Sequence, residues 1–217
     1  MYDNTKTLVK YGYNQLAKAN VTSRYLFDDW EHIKNLESHL YPKSKILDIG
    51  CGSGIPIDKH LIEKGHKVIG IDISEEQVEL AKKNLPDGEF VVMDMENITF
   101  PKESFDAVIS FYAIFHLPRS LHFDLLKNIH SLLKREGKIM ITLGTKEYEK
   151  TQEEYQDIKL FWSQWGREKN LKILIDSGFD LIYEDIHTAG GEEHLIVFAK
   201  KGRREVEKET GETVYQS

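Results

Sequence analysis

Three glycines spaced by two, Gly50, Gly52 and Gly54, follow directly on the apolar run Ile46 to Ile49, which carries Asp48 within it. Glycine at a strand-to-helix turn lets backbone N–H groups approach a ligand closely, and the helix start offers further N–H donors to an anion. Val68 to Ile71 form a second apolar strand ending in Asp72, twenty-two residues after Gly50, where a carboxylate can accept two hydrogen bonds from a ribose diol. This pattern is a nucleoside-binding βαβ unit. A dinucleotide fingerprint reads G-x-G-x-x-G, but Ile55 stands three residues after Gly52, so the run is G-x-G-x-G. The third glycine of a pyrophosphate site is missing.

The elements that position these residues alternate along the chain. The pattern predicts strands at 45–50, 67–72, 89–93, 105–111 and 137–143, and helices at about 55–64, 75–84 and 119–134. Such alternation implies a parallel sheet with helices on both faces. Ser74 and Gln77 form a capping-box pattern, with Val78, Ala81 and Leu85 as the buried face of that helix. Leu121, Leu125, Ile129 and Leu132 do the same for the helix before Gly137. Phe179 to Ile186 and His194 to Ala199 flank Gly190-Gly191 as a closing hairpin. Residues 1–43 read as an N-terminal helical cap, with Leu26, Trp30, Ile33, Leu36 and Leu40 on one face before Pro42. The charged stretch 201–217 reads as a flexible tail.

Composition narrows the classes. With 217 residues the chain holds one sizeable α/β domain, 44–200, with additions. A net charge of -7, with lysines and arginines dispersed among acids, leaves no general basic surface, so nucleic acid is not an expected partner. The single cysteine, Cys51, excludes a disulfide framework and a clustered thiol metal site, and fits a reducing cytoplasm. Met1 to Lys10 carries no apolar signal segment and no run is long enough for a membrane span, so a soluble, non-exported protein without membrane association is expected.

The run Leu47-Asp48-Ile49-Gly50-Cys51-Gly52-Ser53-Gly54, followed by Ile71-Asp72-Ile73-Ser74, resembles the class I S-adenosylmethionine (SAM)-dependent methyltransferases over roughly residues 44–200. The resemblance implies a Rossmann-like, seven-stranded, mostly parallel sheet with helices on both faces and an antiparallel C-terminal hairpin. It also implies SAM as cofactor, with S-adenosylhomocysteine as product. By the same resemblance Gly50, Cys51 and Gly52 border the methionine end, with Asp48 fixing the loop and the amino group. Asp72 and Ile73 belong to the ribose, Asp94 and Met95 to the adenine, and Phe111 to the methionine moiety. Each has a plainer alternative: Asp72 as a cap of the following helix, Asp94 as a loop aspartate, and Met93 and Met95 as core.

After the fourth strand the chain reads Phe111-Tyr112-Ala113-Ile114-Phe115-His116-Leu117-Pro118. It lacks the Asn/Asp-Pro-Pro-Tyr/Phe signature of amino methylation on bases and glutamine, a cysteine nucleophile for pyrimidine C5 chemistry, and an acidic metal ligand. What remains resembles the small-molecule branch typified by ubiquinone/menaquinone-biosynthesis methyltransferases. His116, the titratable side chain on this turn, is either a general base or a ring that contacts cofactor. Tyr13-Asn14-Gln15-Leu16-Ala17 resembles the family's entry helix, with Asn14 in place of an acid and Asn20 in place of the second tyrosine, so Tyr13 is either a cofactor-capping residue or part of a surface helix.

In the insertion 146–166, Tyr155, Ile158, Phe161, Trp162 and Trp165 recur at helical spacing, either as core or as a lid over the carboxyl edge of the sheet. The sequence reads as a SAM-dependent methyltransferase acting on a small-molecule acceptor. The alternative is a non-catalytic SAM-binding or partner-binding module of the same fold. A nicotinamide-dependent oxidoreductase is disfavoured by Ile55 and by the closing hairpin.

Overall fold

The computed structural model describes residues 2–18, 28–153, 158–202, 206–207 and 213–214. The N-terminal cap supplies α1 (Tyr2–Lys18) and α2 (Trp30–Ser38). Then come β1 (Lys45–Ile49), α3 (Ile57–Glu63), β2 (Lys67–Asp72), α4 (Glu75–Asn84), β3 (Glu89–Val92), β4 (Phe105–Ser110), α5 (His122–Leu132) and β5 (Leu133–Gly144). The chain continues with β6 (Tyr148–Glu153), β7 (Lys159–Gln164), α6 (Arg167–Asp176), β8 (Phe179–Ala189) and β9 (Glu192–Lys201). Seven strands form one sheet in the order β3-β2-β1-β4-β5-β9-β8. The first five run parallel to one another, and β9 lies antiparallel between β5 and the edge strand β8.

The near-continuous apolar character of the central strands follows from burial on both faces. On β1, β2, β4, β5 and β9, alternate residues feed two cores. Leu47, Ile69, Val108, Ile139 and Val197 pack with Leu125 and Ile129 of α5 and Leu174 of α6. Ile46, Val68, Ala107, Met140 and Ile196 pack with Ile33 and Leu36 of α2 and Leu61 of α3. Each fully buried Leu or Ile contributes roughly 1.5–3 kcal/mol, which fixes the register of the central strands and the positions of their ends. Ser74 caps α4 by accepting from the Gln77 N–H at 3.1 Å, as the capping pattern predicts. Gly190 and Gly191 turn the β8–β9 hairpin at φ 61 and 83.

Three expectations change. The predicted helix 119–134 is a short 3-10 turn, Arg119–Leu121, followed by α5, and the next strand begins at Leu133 rather than 137. The aromatic helical stripe in 146–166 is instead a two-stranded antiparallel hairpin, with Lys150 opposite Trp162 and Thr151 opposite Phe161. Both faces of β7 are covered, so its period of two does not show as apolar against polar. The stripe spacing places Trp165 with Trp162, but Trp165 packs on the main core, its indole N–H donating to the Arg119 carbonyl at 3.0 Å. Leu26, Asn20 and Tyr155 lie outside the described residues, as does most of 201–217.

Candidate active site

The sequence-derived candidates Tyr13, Asp48, Gly50, Cys51, Gly52, Asp72, Ile73, Asp94, Met95, Phe111 and His116 all line one cavity of about 1320 Å³. It opens at the carboxyl ends of the parallel strands, where ligands bind in open α/β sheets. Single small-ligand sites occupy about 300–1,000 Å³, so there is room for a second small molecule.

The floor is made by the strand ends. Gly50 and Gly52 adopt φ 81 and 55, which favour glycine, and a Cβ on Gly50 would stand 2.3 Å from the Cβ of Ala113. The Gly52 N–H donates to Asp72 Oδ2 at 2.9 Å, and the Ser74 N–H donates to Asp72 Oδ1 at 2.9 Å. Asp72 thus ties the glycine loop to the start of α4 while it lines the cavity. Burial pushes its carboxyl up, and the N–H groups of Ser74, Gly52 and Ile73 oppose that shift. Cys51 is buried and its thiol is pushed well up by burial and by Asp72, Asp58 and Asp48, so it stays a neutral filler.

Asp94 begins the 3-10 turn Met95–Asn97 and accepts from the Glu96 N–H at 3.0 Å. It also pairs with Lys6 of α1, which reaches Glu96 at 2.7 Å. Burial works against the Lys6 ammonium, but hydrogen bonds and charge from the two acids hold its pKa above the ordinary lysine range. Asn14 fixes the same helix to α4, its Oδ1 accepting from Ser74 Oγ at 2.6 Å and from the Glu76 N–H at 3.3 Å. The amide in place of the family's acid is therefore a docking group. Thr5, Val9 and Leu16 of α1 complete this side of the roof.

His116 joins the two covering segments. Its Nδ1 lies 2.8 Å from the Phe161 carbonyl of β7, so Nδ1 carries the proton and Nε2 accepts from the Tyr13 hydroxyl at 2.7 Å. Burial pushes its pKa down to about 4, the Phe161 carbonyl opposing. The ring is a neutral imidazole whose lone pair is already engaged, 4.4 Å from the Trp162 ring. Alternate β7 residues Leu160, Trp162 and Gln164 line the cavity, whereas Phe161 and Ser163 are buried and absent from its lining.

Two features of the lining were not among the predicted site residues. The far end is closed by the β8–β9 turn, with Gly190, Glu192 and His194, and by the Thr145–Tyr148 link. Asp58 of α3 also lines the cavity and is fully buried. Its signal was an acid on the buried face of a helix, beside Ile57 and one turn before Leu61.

Residues 46–137 match the family described as Methyltransferase domain. Over 135 residues the chain is 32% identical to an uncharacterized methyltransferase of Oceanobacillus iheyensis, covering 60% of this chain and 61% of that protein. Over 99 residues it is 33% identical to the demethylmenaquinone methyltransferase of Thermotoga maritima, covering 45% of this chain and 42% of that protein. The match thus spans less than two thirds of the length of either curated relative. The crystal structure of Burkholderia thailandensis 1,6-didemethyltoxoflavin-N1-methyltransferase, with bound 1,6-didemethyltoxoflavin and S-adenosylhomocysteine, shares the fold at a TM-score of 0.75 and 16% identity, over 93% of this chain and 91% of that one. The sheet order and the glycine loop at its carboxyl edge define a Rossmann-like α/β fold. Residues 46–137 are similar to a methyltransferase domain, and the relatives that share this stretch are methyltransferases.

Proposed function

We propose that the chain is a SAM-dependent methyltransferase that methylates a small-molecule acceptor. The observation that carries this reading is the convergence of Asp48, Asp72 and Asp94, at or next to the ends of three neighbouring parallel strands, on one cavity with the glycine loop. The residues fit the cofactor: Asp94 and Met95 would hold its adenine, Asp72 and Ile73 its ribose, and Asp48 and Gly50 to Gly52 its amino-acid end. Bound SAM would supply a methyl group activated on a sulfonium, open to in-line displacement.

The chain's own task is to align the acceptor and keep water out. The faces of Phe111, Tyr112 and Trp162 offer a cation-tolerant, apolar wall for that purpose. His116 has its Nε2 engaged by Tyr13 and its pKa held near 4, so it serves this reading as an orienting ring rather than as a base at neutral pH. The roof of α1 and β7 over the cavity supports a small acceptor over a polymer. No helix among the described residues is long and apolar enough to cross a membrane. A lone buried cysteine suits a reducing compartment, so the proposed location is the cytoplasm.

Isothermal titration with SAM, S-adenosylhomocysteine and NAD, followed by a screen of metabolites for methylated product, tests the reading. Micromolar binding of the first two and product from at least one metabolite are expected. Absence of SAM and S-adenosylhomocysteine binding would overturn it, and binding without turnover on any acceptor would favour the non-catalytic module.

A further inference from the structure

Asp58 is fully buried, lines the cavity, and neither of its carboxyl oxygens meets an N–H donor among the described residues. Asp48 of β1 is the charged group that acts on it, and burial together with the Asp48 charge holds the Asp58 carboxyl well above the usual carboxylate range. Between glycine loop and helix the other titratable neighbour is Cys51, whose neutral thiol supplies no positive charge. A buried carboxyl without donors is costly and rare, and an arriving ligand can supply what the protein withholds.

The strand order says which part of a ligand arrives there. Asp94 follows β3, Asp72 ends β2, and Asp48 lies on β1, so these acids run along one edge in the order β3-β2-β1. With adenine at the first and ribose at the second, the remaining end of the nucleoside falls at Asp48 and Asp58. We propose that Asp48 and Asp58 form a two-carboxyl clamp for a primary ammonium group, the one on the amino-acid end of the cofactor. The inference rests on the methyltransferase reading, in which Asp48 already faces the amino group, and adds to it Asp58 as the second carboxyl and the proton that the pair releases. An ammonium offers three N–H donors and one positive charge to two adjacent carboxyls. The unliganded pair keeps a proton, because two adjacent buried carboxylates cannot both ionise cheaply. Ammonium entry favours the doubly ionised pair, so the proton leaves to solvent and affinity rises with pH.

The test is titration calorimetry of the full chain and of Asp58→Asn with two probes, S-adenosylhomocysteine and 5′-deoxy-5′-methylthioadenosine, which lacks the amino-acid end, in two buffers of different ionisation heat. The expected result is a loss of about 10- to 100-fold in S-adenosylhomocysteine affinity. Methylthioadenosine affinity should stay within about twofold, the proton released by wild type should disappear, and the thermal midpoint should hold or rise. Asp58→Ala repeats the comparison should the amide variant misfold. Unchanged S-adenosylhomocysteine affinity, an equal loss for both probes, or no proton release by wild type would overturn the clamp alone. A wild-type chain that binds neither probe would overturn the methyltransferase reading and the clamp with it.

Discussion

The floor of the cavity comes from one short stretch of chain in which Asp48, Asp72 and Asp94 follow one another at the ends of β1, β2 and β3, while its roof comes from α1 and β7, far apart in sequence. Backbone geometry makes the floor: positive φ at Gly50 and Gly52, and N–H groups aimed at the Asp72 carboxylate. Side-chain packing makes the roof: Tyr13 on His116, His116 on Trp162, Trp162 on Phe115. In the proposed reading the floor holds the cofactor part by part, and the roof closes over the acceptor. Substitutions in the floor should therefore weaken cofactor binding, and those in the roof should change closure and turnover.

Asp72→Ala presses hardest on that division. It strands the Gly52 and Ser74 N–H groups and removes the acceptor assigned to the ribose. Each stranded donor costs about 1–3 kcal/mol, and cofactor affinity should fall about 10- to 100-fold or more. Calorimetric titration with S-adenosylhomocysteine checks it, and unchanged affinity would move the ribose elsewhere.

Acid should strain the roof next. His116 is held near pKa 4, as is His122, which is buried against the Leu117 carbonyl. Both are depressed below the unfolded value near 6.5, so the unfolded chain binds more protons between these values. Stability is then complete above about pH 6.5 and falls as pH drops toward 4, by roughly 3 kcal/mol for each histidine. Urea unfolding from pH 8 to 4.5 measures the slope, and His116→Gln should make it shallower than in the unsubstituted chain. A pH-independent midpoint would mean that neither ring stays neutral in the fold.

Trp162→Ala separates roof from core. A fully buried Trp costs about 3–5 kcal/mol on truncation, but Trp162 is only partly buried, so about 1–2 kcal/mol is expected. Turnover should drop more than stability, with S-adenosylhomocysteine affinity held within about fivefold. Thermal unfolding and titration of the same variant decide it. A loss at the core value with normal turnover would make β7 plain core.

The unequal legibility of the two regions has the same physical origin. Glycine spacing, strand-terminal acids and the Ser74 cap act within a few residues, so the parallel sheet, its closing hairpin and the acids at the strand ends are legible in the sequence, whereas the strand order is not. Nothing local says that Phe161 turns inward while Trp162 faces the cavity, and two adjacent aromatics satisfy a helical stripe as well as a strand covered on both faces. Tyr13 on His116 is likewise a contact between distant segments. Asp58 was hidden by its neighbours, because an acid between lysine and isoleucine in an amphipathic helix ordinarily faces water.

The smallest effect lies on the seam between floor and roof, where Asp94 has two tasks. As the proposed adenine acceptor it belongs to the floor, and as the partner of Lys6 it holds α1 down. Lys6 keeps Glu96 when Asp94 is removed, so the two substitutions are not equivalent. Partly exposed ion pairs contribute about 0–1 kcal/mol, so Lys6→Ala should weaken S-adenosylhomocysteine by no more than about fivefold, less at high salt. Asp94→Ala should cost about tenfold with little salt dependence, because a hydrogen bond to a base edge inside the cavity is screened far less than a surface pair. Titrations of both variants at low and high salt make the comparison. Equal losses that vanish together in salt would show that Asp94 acts only by docking α1, and the adenine would then have to be held by backbone and by Met95.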